Sequence, residues 1–190
     1  MTFIARHTFS LLSVTIFVLF TCLVLWAYNN DLEHVLQQPT TPAYPTEQND
    51  IIIAYHNRPN IPQIGCALAN TLTQNPIKKW AFTLLMAIKP QHKVLTAYAH
   101  HTHFGPVQGL SKAANNYFGV SVQHLSIGET LLLLELAYNP HFPITTPITA
   151  LQQRDALLSD LYNHHKLTPT QYQTERQKAL ALVADHKPIS

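Results

Sequence analysis

Residues 126–138 read Ser-Ile-Gly-Glu-Thr-Leu-Leu-Leu-Leu-Glu-Leu-Ala-Tyr. Ser126 followed three residues later by Glu129 is a capping-box pattern: the serine takes a backbone N–H and the glutamate reaches back. The run behind it is apolar nearly all round, which predicts a helix buried at the centre of a domain. Asn139-Pro140 ends it. Working outward, the pattern predicts helices over 66–75 and 77–89, on either side of Pro76. Two more are predicted over 91–103, with Gly105 as a C-terminal stop, and over 110–118, stopped by Gly119. Thr146-Pro147 opens another, reaching to about Asn163. Thr168-Pro169-Thr170-Gln171 is a second capping box and opens the last. There is no strand pattern of any length, no internal repeat, no glycine-rich phosphate loop and no G-x-S-x-G. The fold class is all-α.

The N-terminus is different in kind. Residues 9–28, FSLLSVTIFVLFTCLVLWAY, contain no charged side chain. At about 1.5 Å per residue they span about 30 Å, one hydrocarbon core. Arg6 and His7 precede the run, and Asp31 and Glu33 follow it. The positive-inside rule then makes 1–8 a cytoplasmic tail, 9–28 a single-pass transmembrane helix of the inner or plasma membrane, and the rest periplasmic or extracellular. Trp26 and Tyr28 suit the outer interface. A cleaved signal peptide fits less well, because Leu25 is too large for the small-residue rule near Ala27. Acylation at Cys22 is disfavoured by Thr21 before it and LVLWAY after it. Residues 29–50 carry three prolines among polar residues and read as a semi-extended spacer. Residues 51–190 are then the helical domain.

Composition narrows the function. The 190 residues suggest one domain plus termini, and 46% hydrophobic content excludes a disordered chain. Charged residues are 12%, about half the usual share. A net charge of +2 argues against a nucleic-acid binder. Cys22 and Cys66 are too few for a disulfide scaffold, and with scattered histidines they exclude a zinc finger. Cys66 reads as a small core residue.

One stretch is more specific than periodicity. Residues 94–143 read VLTAYAHHTHFGPVQGLSKAANNYFGVSVQHLSIGETLLLLELAYNPHFP. In order stand Val94, Leu95, Tyr98, Phe104-Gly105, Gly109, Ala113-Ala114, Tyr117-Phe118-Gly119, Leu125-Ser126, Glu129 and Pro140. Arg154-Asp-Ala-Leu-Leu and Lys166-Leu-Thr-Pro-Thr-Gln-Tyr172 continue the series. The pattern resembles that of the family 51 glycosyltransferases, the peptidoglycan transglycosylases of monofunctional or penicillin-binding-protein type. Over about 65–180 the chain is identified as a degenerate member. The resemblance implies a lysozyme-like helical domain on one membrane anchor, with lipid II or a glycan strand as ligand and cell-wall synthesis proteins as partners.

The same resemblance implies two catalytic glutamates, and these are missing. One belongs to an E-D-x-x-F-x-x-H-x-G motif and deprotonates the acceptor sugar; the other follows an R-K pair near the donor diphosphate. Between Asp50 and Glu129 the chain has no aspartate and no glutamate. Two registers serve the first motif. One keeps Asp50 and His56 and puts Asn49 at the catalytic position. The other puts His56 there, with Gly65 as the final glycine. Asparagine cannot take a proton, whereas histidine can, near pH ~6.5. The donor motif survives only as Gly65-Cys-Ala-Leu-Ala-Asn-Thr-Leu72-Thr-Gln-Asn75, without its hydroxyls, glutamines and lysine. Lys78-Lys79 stands for the R-K pair. His100 replaces the asparagine of Y-L-N, and Val120 the lysine after Y-F-G.

Candidate catalytic residues are therefore His56 and Glu129, the one aligned carboxylate left, whose bland role is the helix cap. Glu135 lies six residues on, roughly 120° round the helix, a poor geometry for an acid–base pair. Residues 51–128 hold Arg58, Lys78, Lys79, Lys89, Lys93 and Lys112 without an acid. That one-signed surface suits a lipid diphosphate or anionic headgroups, and it makes Lys78, Lys79 and Arg58 the candidate substrate-binding residues. His100, His101 and His103 sit at a helix end, where they suit the macrodipole and point apart, so no metal site is expected. No cofactor is expected; the divalent metal that family members use finds no support in these residues. The expectation is a membrane-anchored, catalytically impaired transglycosylase-like domain that binds or regulates in cell-wall synthesis. The alternative is an active divergent polymerase of lipid II.

Overall fold

The computed structural model describes residues 2–37, 46–58, 61–142, 146–180 and 182–183. Within them lie α1 (Thr2–Leu36), α2 (Thr46–His56), α3 (Ile64–Leu72), α4 (Pro76–Ala87) and α5 (Gln91–His101). A short hairpin follows, β1 (His103–Phe104) with β2 (Val107–Gln108), then α6 (Leu110–Phe118), α7 (Ile127–Tyr138), α8 (Pro147–Asn163) and α9 (Pro169–Gln177). The fold is all-α, as expected.

The centre is α7. Leu131, Leu132, Leu133 and Leu134 are all fully buried, and α2, α6, α8, α9 and β1 pack around this helix. Both capping boxes form. Ser126 Oγ accepts from Glu129 N at 3.2 Å while Glu129 Oε2 accepts from Ser126 N at 2.8 Å. Thr168 and Gln171 make the same exchange at the start of α9. Pro76, Pro147 and Pro169 each occupy the first turn of a helix, where a missing N–H costs nothing. Gly119, at φ +69°, closes α6 in the left-handed region.

Three features depart from expectation. The helix expected to reach 103 ends at His101. Thr102 turns extended, and Phe104, fully buried, is carried into the core by the hairpin pairing His103 with Gln108 and Phe104 with Val107. Gly105 makes the turn of that hairpin at φ +64° rather than stopping a helix. Second, the segment read as a spacer over 29–50 is helical at both ends. α1 runs on to Leu36 because Leu32 and Leu36, one turn apart, are buried against the domain, and α2 starts at Thr46; residues 38–45 lie outside the described residues. Third, α2 itself lacks a strong sequence signal. Its Ile51, Ile52 and Tyr55 gain burial by packing on α7.

Gly128, in the first turn of α7, is fixed by its neighbours. Its N–H donates to Glu175 Oε2 at 3.0 Å. A Cβ there would lie 2.6 Å from Arg154 Cδ and 2.7 Å from its Cγ. Arg154 is buried and cannot swing aside. Its guanidinium donates to Asp155 and to the backbone carbonyls of Arg176 and Lys178. Gly128→Ala should therefore destabilise by about 1–3 kcal/mol through overpacking, seen as a lower denaturation midpoint; an unchanged midpoint would mean that Arg154 relaxes freely.

Candidate functional site

His56, the last residue of α2, stands between two cavities. One, about 390 Å³, lies between the end of α2, α3 and α4, and is lined among others by Asn57, Gly65, Thr83, Met86 and Lys89. The other, about 280 Å³, lies among α2, α3, α5 and α7, with Asn70, Thr71, Tyr98, Thr102 and Tyr138 in its wall. His56 is itself 5% exposed. The rings of Tyr55 and Tyr98 meet it edge-on at 5.4 and 4.9 Å.

The tautomer follows from one contact. His56 Nδ1 is 2.7 Å from the Pro62 carbonyl oxygen. A carbonyl only accepts, so Nδ1 carries the hydrogen and Nε2 presents a lone pair. Nε2 is buried and has no hydrogen-bond partner among the described residues; the same holds for Thr102 Oγ1. Burial pushes the imidazole pKa below its ordinary value, and the Arg58 charge adds to this. His56 is thus a neutral hydrogen-bond acceptor at neutral pH and a weaker base than free histidine.

A depressed folded-state pKa means that the unfolded chain binds the proton first. The stabilisation is complete above about pH 6.5 and is lost as pH falls through the folded-state value. Thermal midpoints of the wild type should therefore drop more steeply below that pH than those of His56→Gln. Parallel curves would show that His56 is not held neutral.

Arg58 is turned inward. Its guanidinium lies 4.1 Å over the Tyr55 ring, with Nη1 2.8 Å from Asp160 Oδ2 and Nη2 3.4 Å from Glu135 Oε2. Tyr55 donates to the same Glu135 oxygen at 2.9 Å. The cluster ties α2, α7 and α8 together. Lys78 faces α1, 2.6 Å from Asp31 Oδ2 and over the rings of Tyr28 and Phe82. Lys79 lies one turn before Thr83 on the face of α4 that walls the larger cavity. Glu129 lines neither cavity; both its carboxylate bonds go to Ser126. Of the five candidates, His56 and Arg58 are neighbours, Lys79 shares a helix face with the cavity residue Thr83 without itself lining the cavity, and Lys78 and Glu129 are engaged elsewhere. Among the described residues, no group of three or more histidine, cysteine or acidic side chains is placed to hold a metal.

A model of the transglycosylase family matches residues 69–162, which run from the last turn of α3 almost to the end of α8. Residues 69–162 are thus a transglycosylase-family segment. It is 32% identical over 111 residues to penicillin-binding protein 1A of Aquifex aeolicus (strain VF5), covering 54% of this chain and 15% of that protein. The chain therefore spans about 15% of the length of that curated relative. The crystal structure of penicillin-binding protein 1A from Haemophilus influenzae aligns with 65% of this chain and 17% of its own, at 16% identity and a TM-score of 0.40.

Within the transglycosylase segment the recognisable residues are those of packing and turns. A Cβ at Gly105 would lie 2.7 Å from the Tyr117 hydroxyl, which donates to the Phe104 carbonyl at 3.3 Å. Phe104-Gly105 and Tyr117-Phe118-Gly119 thus lock the hairpin to α6. His56 and Arg58 precede the matched segment. Thr102 gave no signal in the sequence as a cavity residue. A hydroxyl in an apolar-periodic stretch is the only hint, and its burial depends on the hairpin.

Proposed function

We propose that this transglycosylase-family chain is a membrane-anchored domain that binds lipid II or glycan strands without polymerising them, as a binding or regulatory component of cell-wall synthesis. One observation carries the reading: among the described residues, no carboxylate lines either cavity beside His56. The carboxylates that remain nearby have other work, Glu129 in a helix cap and Glu135 under Tyr55 and Arg58. General acid–base catalysis contributes roughly 10² to 10⁴ per group, so loss of both glutamates removes most of the rate. In this reading α1 is a single-pass anchor, supported by Ser13–Leu36 being long and apolar enough to cross a membrane. Arg6 and His7 before the apolar run and Asp31 and Glu33 after it favour a domain on the outer face of the inner or plasma membrane, beside a lipid-linked ligand. Binding is supported by Lys79, on the α4 face that carries Thr83, rather than by Lys78 or Arg58, whose charges are paired. The second reading, an active divergent polymerase, is favoured by the unpartnered Nε2 of His56.

The test is lipid II added to the full chain in detergent. No glycan polymer should form. Binding should weaken with added salt and with Lys79→Ala. Polymer that forms with the wild type and is lost in a folded His56→Ala variant would establish histidine as the base and overturn the proposal. Absence of binding at low salt would overturn it from the other side.

A further inference from the structure

Ile77, Trp80, Leu84 and Ile88 are 54, 45, 41 and 78% exposed. At about 100° per residue they fall within roughly 80° of arc, a continuous apolar stripe on the outer side of α4. The opposite side holds Ala81, Phe82, Leu85 and Met86 in the core. Soluble helices put polar side chains where this one has isoleucine, tryptophan and leucine.

The position of α4 against α1 says what covers the stripe. Lys78, near the start of α4, meets Asp31 and the Tyr28 ring. Lys89, just past its end, meets Glu33 and Asn29, the latter at 2.9 Å. Eleven residues of α4 advance about 16 Å, yet both ends touch α1 within the same stretch, 28–33, of about 8 Å. α4 therefore crosses α1 instead of running along it. Its crossing point lies only a few residues beyond Trp26, the last large exposed apolar residue of the anchor, hence within about 10 Å of that level. If α1 crosses the bilayer, α4 lies in the plane of its interface, with an apolar face, a tryptophan and a flanking lysine, Lys79.

We infer that the Ile77/Trp80/Leu84/Ile88 face of α4 is a lipid-docking surface, seated at the headgroup–acyl boundary of the membrane that α1 crosses. The occupant is lipid because the stripe continues an apolar surface that already belongs to the membrane, at its level and across its axis. Docking fixes the domain flat against the bilayer. It rests on the reading of α1 as an anchor, and the experiment separates the two.

The chain has two tryptophans, Trp26 and Trp80. Full-length W26F, reconstituted into phosphatidylcholine vesicles, reports on Trp80 alone; W80F reports on Trp26 alone. With lipids brominated near the headgroup, Trp80 should lose most of its emission, and less with bromines near the bilayer centre. Its emission in plain vesicles should be blue-shifted. Adding Ile77→Ser, Leu84→Ser and Ile88→Ser should abolish quenching of Trp80 and leave that of Trp26 intact, with helix content by circular dichroism unchanged. Trp26 quenched while Trp80 emits unquenched at the wavelength of water-exposed indole overturns the docking surface, leaving the stripe to solvent or a protein partner. Neither residue quenched overturns the anchor and the docking together.

Discussion

Leu133→Asp should abolish the folded domain. Leu133 is fully buried in a run of four fully buried leucines on α7, around which the other helices are packed. Removing a leucine side chain from such a site costs about 2–5 kcal/mol, and burying an unpaired carboxylate in its place adds several more. Domains of this size are stable by only about 5–15 kcal/mol. The expected result in detergent is loss of the cooperative thermal transition and rapid proteolysis of the region beyond α1, with α1 itself protected. Leu132→Asp, equally buried, should do the same. A variant that still melts cooperatively near the wild-type temperature would show that α7 is not the organising helix.

Arg58→Ala should be the next most damaging change. Its guanidinium covers the Tyr55 ring and faces Glu135 and Asp160 from α7 and α8. The Asp160 arm is partly solvated and contributes little. The Glu135 arm matters more, because that carboxylate is mostly covered and keeps only the Tyr55 hydroxyl when the arginine leaves. Loss of packing over Tyr55 adds to this. About 2–3 kcal/mol of destabilisation is expected, with recovery of part of it in Arg58→Ala/Glu135→Gln, where the uncompensated charge is gone. Additive losses in the double variant would mean that the two residues are not coupled.

The contrast between Glu129 and Glu135 shows how far the sequence could be read. Glu129 sits three residues after a serine at the head of an apolar run, so its role in a cap was visible from spacing alone. Glu135 lies in the same helix with no local partner; its tyrosine and arginine are 80 and 77 residues away in the chain. Local hydrogen-bonding rules reach a turn or two along a helix and no further. For the same reason α6, α7 and α8 were legible, with their prolines, caps and glycine stops, while α2 was not. Its isoleucines gain their burial from α7, a contact that closes a loop of more than seventy residues.

The candidate site divides in the same way. The absence of any acid between Asp50 and Glu129 is a property of the sequence, independent of folding, and it already removed the family's glutamates from that interval. Family-like residues such as Gly105, Tyr117 and Gly119 were equally plain, because a left-handed turn or a tight ring contact restricts which residue can stand there. Tertiary structure alone decided that Arg58 and Lys78 are paired rather than open to a ligand, and that His56 holds its Nδ1 hydrogen against Pro62. It also decided that α1 continues past the apolar run to meet Lys78 and Lys89. Charge and hydrophobic pattern fix what each residue can do. Which partner it does it with depends on the three-dimensional approach of distant segments, and that approach is set by burial around α7.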